Sequence, residues 1–204
     1  MSKIKNTSSL VKDYPAWTEI SLKAIEHNFK EIRRLASSNE FLIPTRATKK
    51  EKFIDPIQIL AVIKADAYGH GMKEVGLLLD KLGCGYLAVS DITEGIVLRR
   101  AGIRKPILIF ESTLLSQVQL IIDYRLMPTI CTLEMAKSLN RLAQRSKRKV
   151  NIHVEVDTGM GRLGVWHKDT FGFIKEIYTL KNLKIHGIFT HFPSADTNHS
   201  RRIA

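Results

Sequence analysis

Short apolar runs alternate with amphipathic stretches along most of this chain. The apolar runs, several rich in β-branched residues, predict buried strands at residues 59–63, 86–89, 107–110, 129–130, 151–156 and 185–189, with a further strand near residues 17–20. Apolar positions spaced by three and four predict helices over residues 22–36, 73–82, 92–101, 133–143 and 170–178, and one more that contains Leu114 to Ile122.

The regular order of strand then helix predicts parallel strands joined by right-handed crossovers, in a barrel or in an open doubly wound sheet. Polar or reactive residues follow many of the strands: Lys64, Ser90, Glu111, Asp157 and His191. A barrel places its site at these carboxyl ends, whereas an open sheet gathers residues at one switch point. The distribution of these residues over many strand ends favours a (β/α)₈ TIM-barrel type of α/β fold. It is incomplete, because about six of the eight units are found.

Three regions are predicted along the chain. Residues 1–15 form a polar, basic tail, and residues 16–204 form the partial barrel domain. Residues 37–56 are a long connection with two prolines and a basic run, interpreted as a surface insertion because such long connections are uncommon in compact domains.

Composition narrows the function classes. The chain has 204 residues, 44% of them hydrophobic, which is enough for one core. No stretch has the length of a signal peptide core or a membrane span, so we expect a cytoplasmic protein without membrane contact. Cys84 and Cys131 lack metal-ligand spacing and predict no disulfide framework. Without a clustered Cys/His, HExxH or P-loop string, no metal and no nucleotide is expected.

The net charge of +12 raises the possibility of nucleic-acid binding. The basic residues are scattered at predicted helix ends and loops, however, and are not interleaved with aromatic residues. We therefore expect no nucleic-acid partner. A net positive charge also suits a site that binds a phosphate and an amino-acid carboxylate.

Lys64 directly follows an apolar strand and opens a loop that contains Tyr68, Gly69 and Gly71. A lysine here either turns to solvent, the more common case, or lies at an active site. Burial disfavours the charged form of an amine, and a neutral amine can attack a carbonyl, including that of pyridoxal phosphate. Position alone leaves both interpretations open.

A second stretch, at residues 153–164, carries three glycines and Arg162. The glycines allow tight turns and a close approach of the backbone to a ligand. The arginine offers a planar fork of donors for a carboxylate or phenolate. The alternative is a loop arginine that pairs with a neighbour such as Asp157.

The string AVIKADAYGHG at residues 61–71 closely resembles the lysine motif of alanine racemases, which interconvert L- and D-alanine with pyridoxal phosphate. Residues 153–164 resemble the second signature of that family, and residues 190–192 also match. The resemblance runs from about residue 17 to residue 192. It covers only about the first half of a typical member, and the C-terminal β domain is absent.

The resemblance implies a role for each matching residue. Lys64 would carry the cofactor and act as a catalytic base, and Tyr68 would contact the cofactor phosphate. Arg162 would bind the phenolic oxygen and help to place the substrate carboxylate, and His191 would pack against the pyridine ring. Glu155 stands where many members have a carbamylated lysine, so we predict a direct charge-assisted pair with Arg162 unless the Glu155 side chain points elsewhere.

The implied activity is that of an isomerase that supplies D-alanine for peptidoglycan, homodimeric in full-length members. Racemisation calls for proton transfer on two opposite faces. In the family the second base is a tyrosine of the C-terminal domain, contributed by the partner subunit, and no tyrosine here matches it. We therefore expect a truncated chain that is inactive alone and of doubtful dimerisation. The alternatives are a non-catalytic pyridoxal phosphate-binding barrel fragment and a regulatory pyridoxal phosphate-binding protein.

Overall fold

A computed structural model describes residues 16–37 and 57–195 of the chain. The predicted tail, residues 1–15, and residues 38–56 of the predicted insertion lie outside the described residues. None of the described helices is both long and apolar enough to cross a lipid bilayer.

The described elements follow the predicted order of strands and helices. The helices are α1 (Leu22–Ala36), α2 (Lys64–Gly69), α3 (Met72–Lys81), α4 (Ile92–Arg100), α5 (Val118–Asp123), α6 (Leu133–Arg145) and α7 (Thr170–Tyr178). The strands are β1 (Leu60–Val62), β2 (Tyr86–Val89), β3 (Ile107–Ser112), β4 (Met127–Ile130), β5 (Val150–Asp157), β6 (Val165–Trp166) and β7 (Leu183–Thr190).

Local side-chain chemistry sets several helix ends. Ser21, Asp91 and Thr132 precede α1, α4 and α6, and each accepts a hydrogen bond from the backbone N–H three residues further on. Gly102 follows α4 with a φ of +94°, a conformation that favours glycine. Gly102 thus ends the helix.

The sheet is entirely parallel. Its strands run in the order β1-β2-β3-β4-β5, with β7 along the other side of β5 and β6 paired only with the last two residues of β5. The described strands do not close into a ring, and β1 and β7 lie at the two ends of the row. The prediction of an incomplete α/β barrel is therefore confirmed.

Alternation along each strand separates two apolar layers. The larger layer lies between the sheet and the helices, and its fully buried members include Leu87, Leu98, Ile107, Ile130, Leu139 and Ile152. The smaller layer is formed by Ala88, Leu108 and Met127, with Leu60, Tyr86, Phe110 and Phe189 packed against them. We call the sheet face that carries this smaller layer the inner face.

Two sequence predictions are wrong. Residues 17–20 form no strand, because no described strand pairs with them, and Trp17 is 64% exposed. Leu114 does not belong to a helix. It is 65% exposed and precedes a short 3₁₀ turn, Leu115–Gln117, so its apolar side chain is not part of the buried face of a helix.

His153 and Gly187 fit closely on the inner face. A Cβ atom on Gly187 would lie 2.5 Å from Cε1 of His153, well inside contact distance. The His153 ring lies 5.9 Å from the ring of His186 and 6.2 Å from that of Phe189, centroid to centroid. Burial, with a smaller effect of His186, lowers the pKa of His153 to about 4, so the ring is neutral near pH 7.

The substitution Gly187→Ala should therefore destabilise the chain by about 1–3 kcal/mol, the usual range for overpacking. Adding His153→Ala should remove the clash, so that the double variant loses less than the sum of the two single losses. Urea unfolding measures all three. Gly172→Ala, where the new Cβ meets nothing within 4 Å, is the control and should not destabilise. If Gly187→Ala lowered the free energy of unfolding equally with and without the His153 side chain, the predicted clash between these two residues would be contradicted.

Candidate functional site

The carboxyl ends of parallel strands meet at one edge of the sheet, and four of the predicted site residues lie there. Lys64 follows β1 after Ile63, Glu155 lies near the end of β5, Arg162 lies in the loop after β5, and His191 directly follows β7. Lys64 is half-buried and Glu155 is only 5% exposed, whereas Arg162 and His191 are exposed. We call this edge the lysine edge.

The backbone after Lys64 forms a left-handed turn. Residues 65–68 all have φ between 51° and 55°, although none of them is glycine. The left-handed helical conformation costs about 1–2 kcal/mol per residue, so four such residues store about 4–8 kcal/mol. Tyr68, the last of them, is 59% exposed, which leaves its ring free to face a ligand at this edge. The sequence analysis did not foresee this turn.

Glu94, in the first turn of α4, holds the start of the left-handed turn. One carboxylate oxygen accepts the N–H of Ala65 at 2.7 Å, and the other accepts the N–H of Ser90 at 2.8 Å. The carboxylate therefore ties the end of β1 to the end of β2. The sequence analysis missed this residue, because an acidic residue in a first helical turn is also typical of ordinary helix capping.

The other end of the turn is fixed by its own side chains. Oδ1 of Asp66 accepts the N–H of Met72 at 2.7 Å, where α3 begins. The Ala67 N–H donates to the Ile63 carbonyl at 2.9 Å, and Nδ1 of His70 lies 2.8 Å from the Ala67 carbonyl oxygen. The turn is held on both sides, which defines the place from which the preceding lysine side chain extends.

Asp157 organises the glycine loop that carries Arg162. Its Oδ1 accepts the N–H groups of Gly159 at 2.9 Å and Gly161 at 3.1 Å, and these bonds lower the pKa of the Asp157 carboxyl. Gly164 has a φ of +113°, and a Cβ atom there would lie 2.7 Å from the Asp157 nitrogen, so only glycine fits. Asp157 thus engages backbone donors, and no ion pair with Arg162 is found among the described residues.

The predicted direct pair between Glu155 and Arg162 is also wrong. The two ion pairs within 4.0 Å in the described part of the chain both lie on α1. Glu155 is buried on its strand, whereas Arg162 is exposed in a loop that Asp157 holds, and this separates the two side chains. Burial raises the pKa of Glu155, while the charges of Arg162 and His191 act in the opposite direction. Both side chains therefore lie within electrostatic reach of one buried carboxyl.

A hydroxyl pair joins the glycine loop to the last strand. Oγ1 of Thr158 lies 2.7 Å from Oγ1 of Thr190. Thr158 immediately precedes the loop glycines and Thr190 immediately precedes His191. The bond therefore draws the loop of Arg162 toward His191.

Cys131 follows β4 and belongs to the same neighbourhood. Burial and the charge of Glu155 raise the pKa of its thiol to about 11, against a backbone hydrogen bond from Gly164 that lowers it. The thiol stays protonated near pH 7 and is a poor nucleophile. Cys131 therefore places a small, neutral side chain beside Glu155.

The site residues form two groups at the lysine edge. Arg162 and His191 both act electrostatically on Glu155, but no described hydrogen bond links them to Lys64 or Tyr68. Four strand spacings separate β1 from β5, about 19 Å measured along the sheet. The ends of β2, β3 and β4 therefore lie between the Lys64 amine and the Arg162 guanidinium along this edge.

Comparisons with known proteins agree on one family. A profile described as "Alanine racemase, N-terminal domain" matches residues 20–203. The alanine racemase of Halothermothrix orenii is 40% identical over 182 residues, which cover 89% of this chain and 44% of that protein. The alanine racemase of Carboxydothermus hydrogenoformans is 38% identical over the same shares of the two chains.

Solved structures give the same picture. The alanine racemase of Clostridium difficile 630 is 35% identical with a TM-score of 0.78, over 90% of this chain and 44% of that chain. The alanine racemase of Oenococcus oeni is 28% identical with a TM-score of 0.72, over 90% and 48%. The chain thus spans about half the length of these relatives.

Glu94→Gln tests the support of the left-handed turn. A carboxamide has one acceptor oxygen, so one of the two N–H groups would lose its partner and face a donor instead. We expect a loss of about 1–3 kcal/mol in the free energy of unfolding, and faster hydrogen exchange at the Ala65 and Ser90 amides. Glu134→Gln, in the first turn of α6, is the matched control. Equal losses in both variants would contradict the proposed support.

Glu155→Gln tests the burial of that carboxyl. A carboxyl whose pKa is raised by folding stabilises the protein at low pH and loses that contribution as the pH rises through its folded pKa. The neutral variant should therefore be more stable than the parent chain at pH 7, and the difference should shrink toward pH 4. Urea unfolding at the two pH values measures it, with the exposed Glu176→Gln as control. The prediction would be contradicted if the stability of Glu155→Gln relative to the parent chain were lower at pH 7 than at pH 4.

Proposed function

This chain belongs to the family of the alanine racemase N-terminal domain, and we propose that it is the cofactor-binding barrel portion of a pyridoxal phosphate-dependent alanine racemase. One observation carries the proposal: a strained left-handed turn presents the half-buried Lys64 at the same sheet edge as Arg162 and His191. Because the chain spans 44% of the length of its relatives, the activity, substrate and partners of the whole enzyme are part of this proposal.

The residues at the lysine edge fit the cofactor chemically. Pyridoxal phosphate carries an aldehyde, a phenolate, a pyridine ring and a phosphate, and it would bring negative charge to this edge. The amine of Lys64 suits the aldehyde, the guanidinium fork of Arg162 suits the phenolate, and the imidazole of His191 suits the ring. The exposed hydroxyl of Tyr68 would donate to the phosphate.

When bound, the cofactor supplies an electron sink that stabilises negative charge on the α-carbon of an amino acid. Lys64 would then serve as the acid–base group for one face, where it takes the α-proton from one enantiomer or delivers a proton to form that enantiomer. Its half-buried position limits access of water to that proton. Arg162 orients the substrate carboxylate with its remaining donors.

Glu155 acts on Arg162 and His191 through the field of its charge rather than by contact. We assign it a positioning role, because a buried carboxylate favours a positive charge, such as that of Arg162, on its side of the sheet. A carboxylate that is part of the side chain needs no carbon dioxide for its charge, unlike the carbamylated lysine that stands at this position in many members of the family.

Racemisation requires proton transfer on both faces of the α-carbon, and the lysine edge supplies one base. In our proposal the second base belongs to the part of the enzyme outside this chain. The whole enzyme would then work as a homodimer in the cytoplasm and supply D-alanine for peptidoglycan. The second candidate function, favoured by this single base, is a non-catalytic pyridoxal phosphate-binding module.

Titration with pyridoxal phosphate tests the proposal. The chain should develop a visible absorption band, weaker than that of a complete site but saturable, and Lys64→Ala should abolish it. Lys73→Ala, a change to an exposed lysine of α3 close to the same turn, should leave the band unchanged.

An assay for conversion of L- to D-alanine by the same preparation should show no measurable turnover. Robust racemisation would contradict the placement of the second base outside this chain. A band of equal strength in both lysine variants would contradict the assignment of Lys64.

A further inference from the structure

A cavity of about 1030 Å³ opens at the edge of the sheet opposite the lysine edge. The residues that begin or immediately precede β3, β4 and β5 line it, together with the loops that follow α4, α5 and α6. It therefore lies at the amino ends of three adjacent strands. None of the residues assigned to the cofactor lines it.

The lining combines an apolar floor with a basic rim. Ile121, Leu126 and Met127 are buried and form part of the floor. Five basic residues and one carboxylate complete the wall: Arg99, Arg104, Arg125, Arg148, Lys149 and Asp123. The carboxylate is also engaged, because Oδ1 of Asp123 accepts a hydrogen bond from Gln119 at 2.9 Å. The cavity thus carries a clear excess of positive charge.

Two of these arginines are fixed by the backbone. The Arg99 guanidinium donates to four carbonyl oxygens, at distances of 2.7 to 2.9 Å: those of Ile103, Lys105, Tyr124 and Arg125. Arg148 donates to the Ile122 carbonyl at 2.8 Å. Neither forms an ion pair with a described carboxylate. Burial, with a smaller effect of the charge of Arg125, lowers the pKa of Arg99, and the charge of Asp80 acts in the opposite direction.

The other three basic side chains, those of Arg104, Arg125 and Lys149, are exposed at the rim. None of them forms a hydrogen bond or an ion pair with a described residue. Cations at the carboxyl ends of helices are favoured by the helix dipole, by about 0.3–1 kcal/mol each. That effect explains basic residues near helix ends, but it does not explain why three unpaired cations line one cavity. The carbonyl oxygens of Ile103, Lys105, Ile122, Tyr124 and Arg125 already accept hydrogen bonds from Arg99 or Arg148.

We propose that this cavity binds a small anion that carries at least two phosphate groups. Its volume of about 1030 Å³ is just above the range typical of small-molecule sites, about 300–1,000 Å³. Guanidinium and ammonium groups match phosphate oxygens, and several cations favour several negative charges over one. Single-stranded nucleic acid is disfavoured, because Tyr124 is the one aromatic residue in the lining, and the Arg100 guanidinium lies 6.0 Å from its ring centroid.

Isothermal titration of the full chain with inorganic triphosphate tests this proposal. We expect saturable binding at one site, much weaker binding of orthophosphate, and weakening with added salt. The double variant Arg104→Glu/Lys149→Glu should reduce the triphosphate affinity at least about tenfold, and the neutral pair Arg104→Gln/Lys149→Gln should give a smaller loss.

The matched control is Lys137→Glu/Arg141→Glu, which reverses one lysine and one arginine on the exposed side of α6 outside the cavity. It should change the affinity less than about twofold. Lys64→Ala should leave binding unchanged, which separates this site from the cofactor site. Equal losses in the two reversed pairs, or an absence of saturable binding, would overturn the proposal. So would tighter binding of a single-stranded oligonucleotide that depends on Arg104 and Lys149.

Discussion

The left-handed turn at residues 65–68 depends on carboxylates that accept its backbone N–H groups and those of its neighbours. Glu94 binds Ala65 and Ser90, and Asp66 binds Met72. Hydrogen bonds to a charged group contribute about 1.5–3 kcal/mol each. Together, the three hydrogen bonds contribute about as much free energy as the roughly 4–8 kcal/mol that four left-handed residues cost. The strain at the lysine edge is thus balanced locally, and the position of Lys64 follows from that balance.

The parallel sheet divides the rest of the chemistry between its two edges. At the carboxyl ends of the strands, Asp157 and the Thr158–Thr190 pair bring Arg162 and His191 close to Glu155. At the amino ends, Arg99 and Arg148 donate to backbone carbonyls at the end of α5 and line a basic cavity. Because the two sites lie at opposite ends of the strands, either can be altered without direct contact with the other.

Periodicity was sufficient to predict most of the fold. The helix at 22–36 and the strand at 86–89 have the expected bounds, because each shows an unbroken pattern with a clear cap or flanking turn. The strand at 17–20 was wrong, since strand formation needs a partner that local sequence does not reveal. The left-handed turn was unforeseen, because residues such as Ala65 and Tyr68 disfavour that conformation unless distant groups such as Glu94 hold it. The Glu155–Arg162 pair is not formed, because Glu155 is buried on β5 whereas Arg162 lies in the exposed loop that follows this strand. The cofactor roles of the site residues remain predictions.

Borohydride trapping followed by peptide mass spectrometry tests the central claim most directly. The chain is incubated with pyridoxal phosphate and reduced, so that the lysine holding the cofactor is covalently marked. The account predicts that the mark is concentrated on Lys64, the one lysine presented by the left-handed turn, and that Glu94→Gln diminishes it. A mark distributed over exposed lysines such as Lys73 and Lys149, with Lys64 no more labelled than they are, would contradict it.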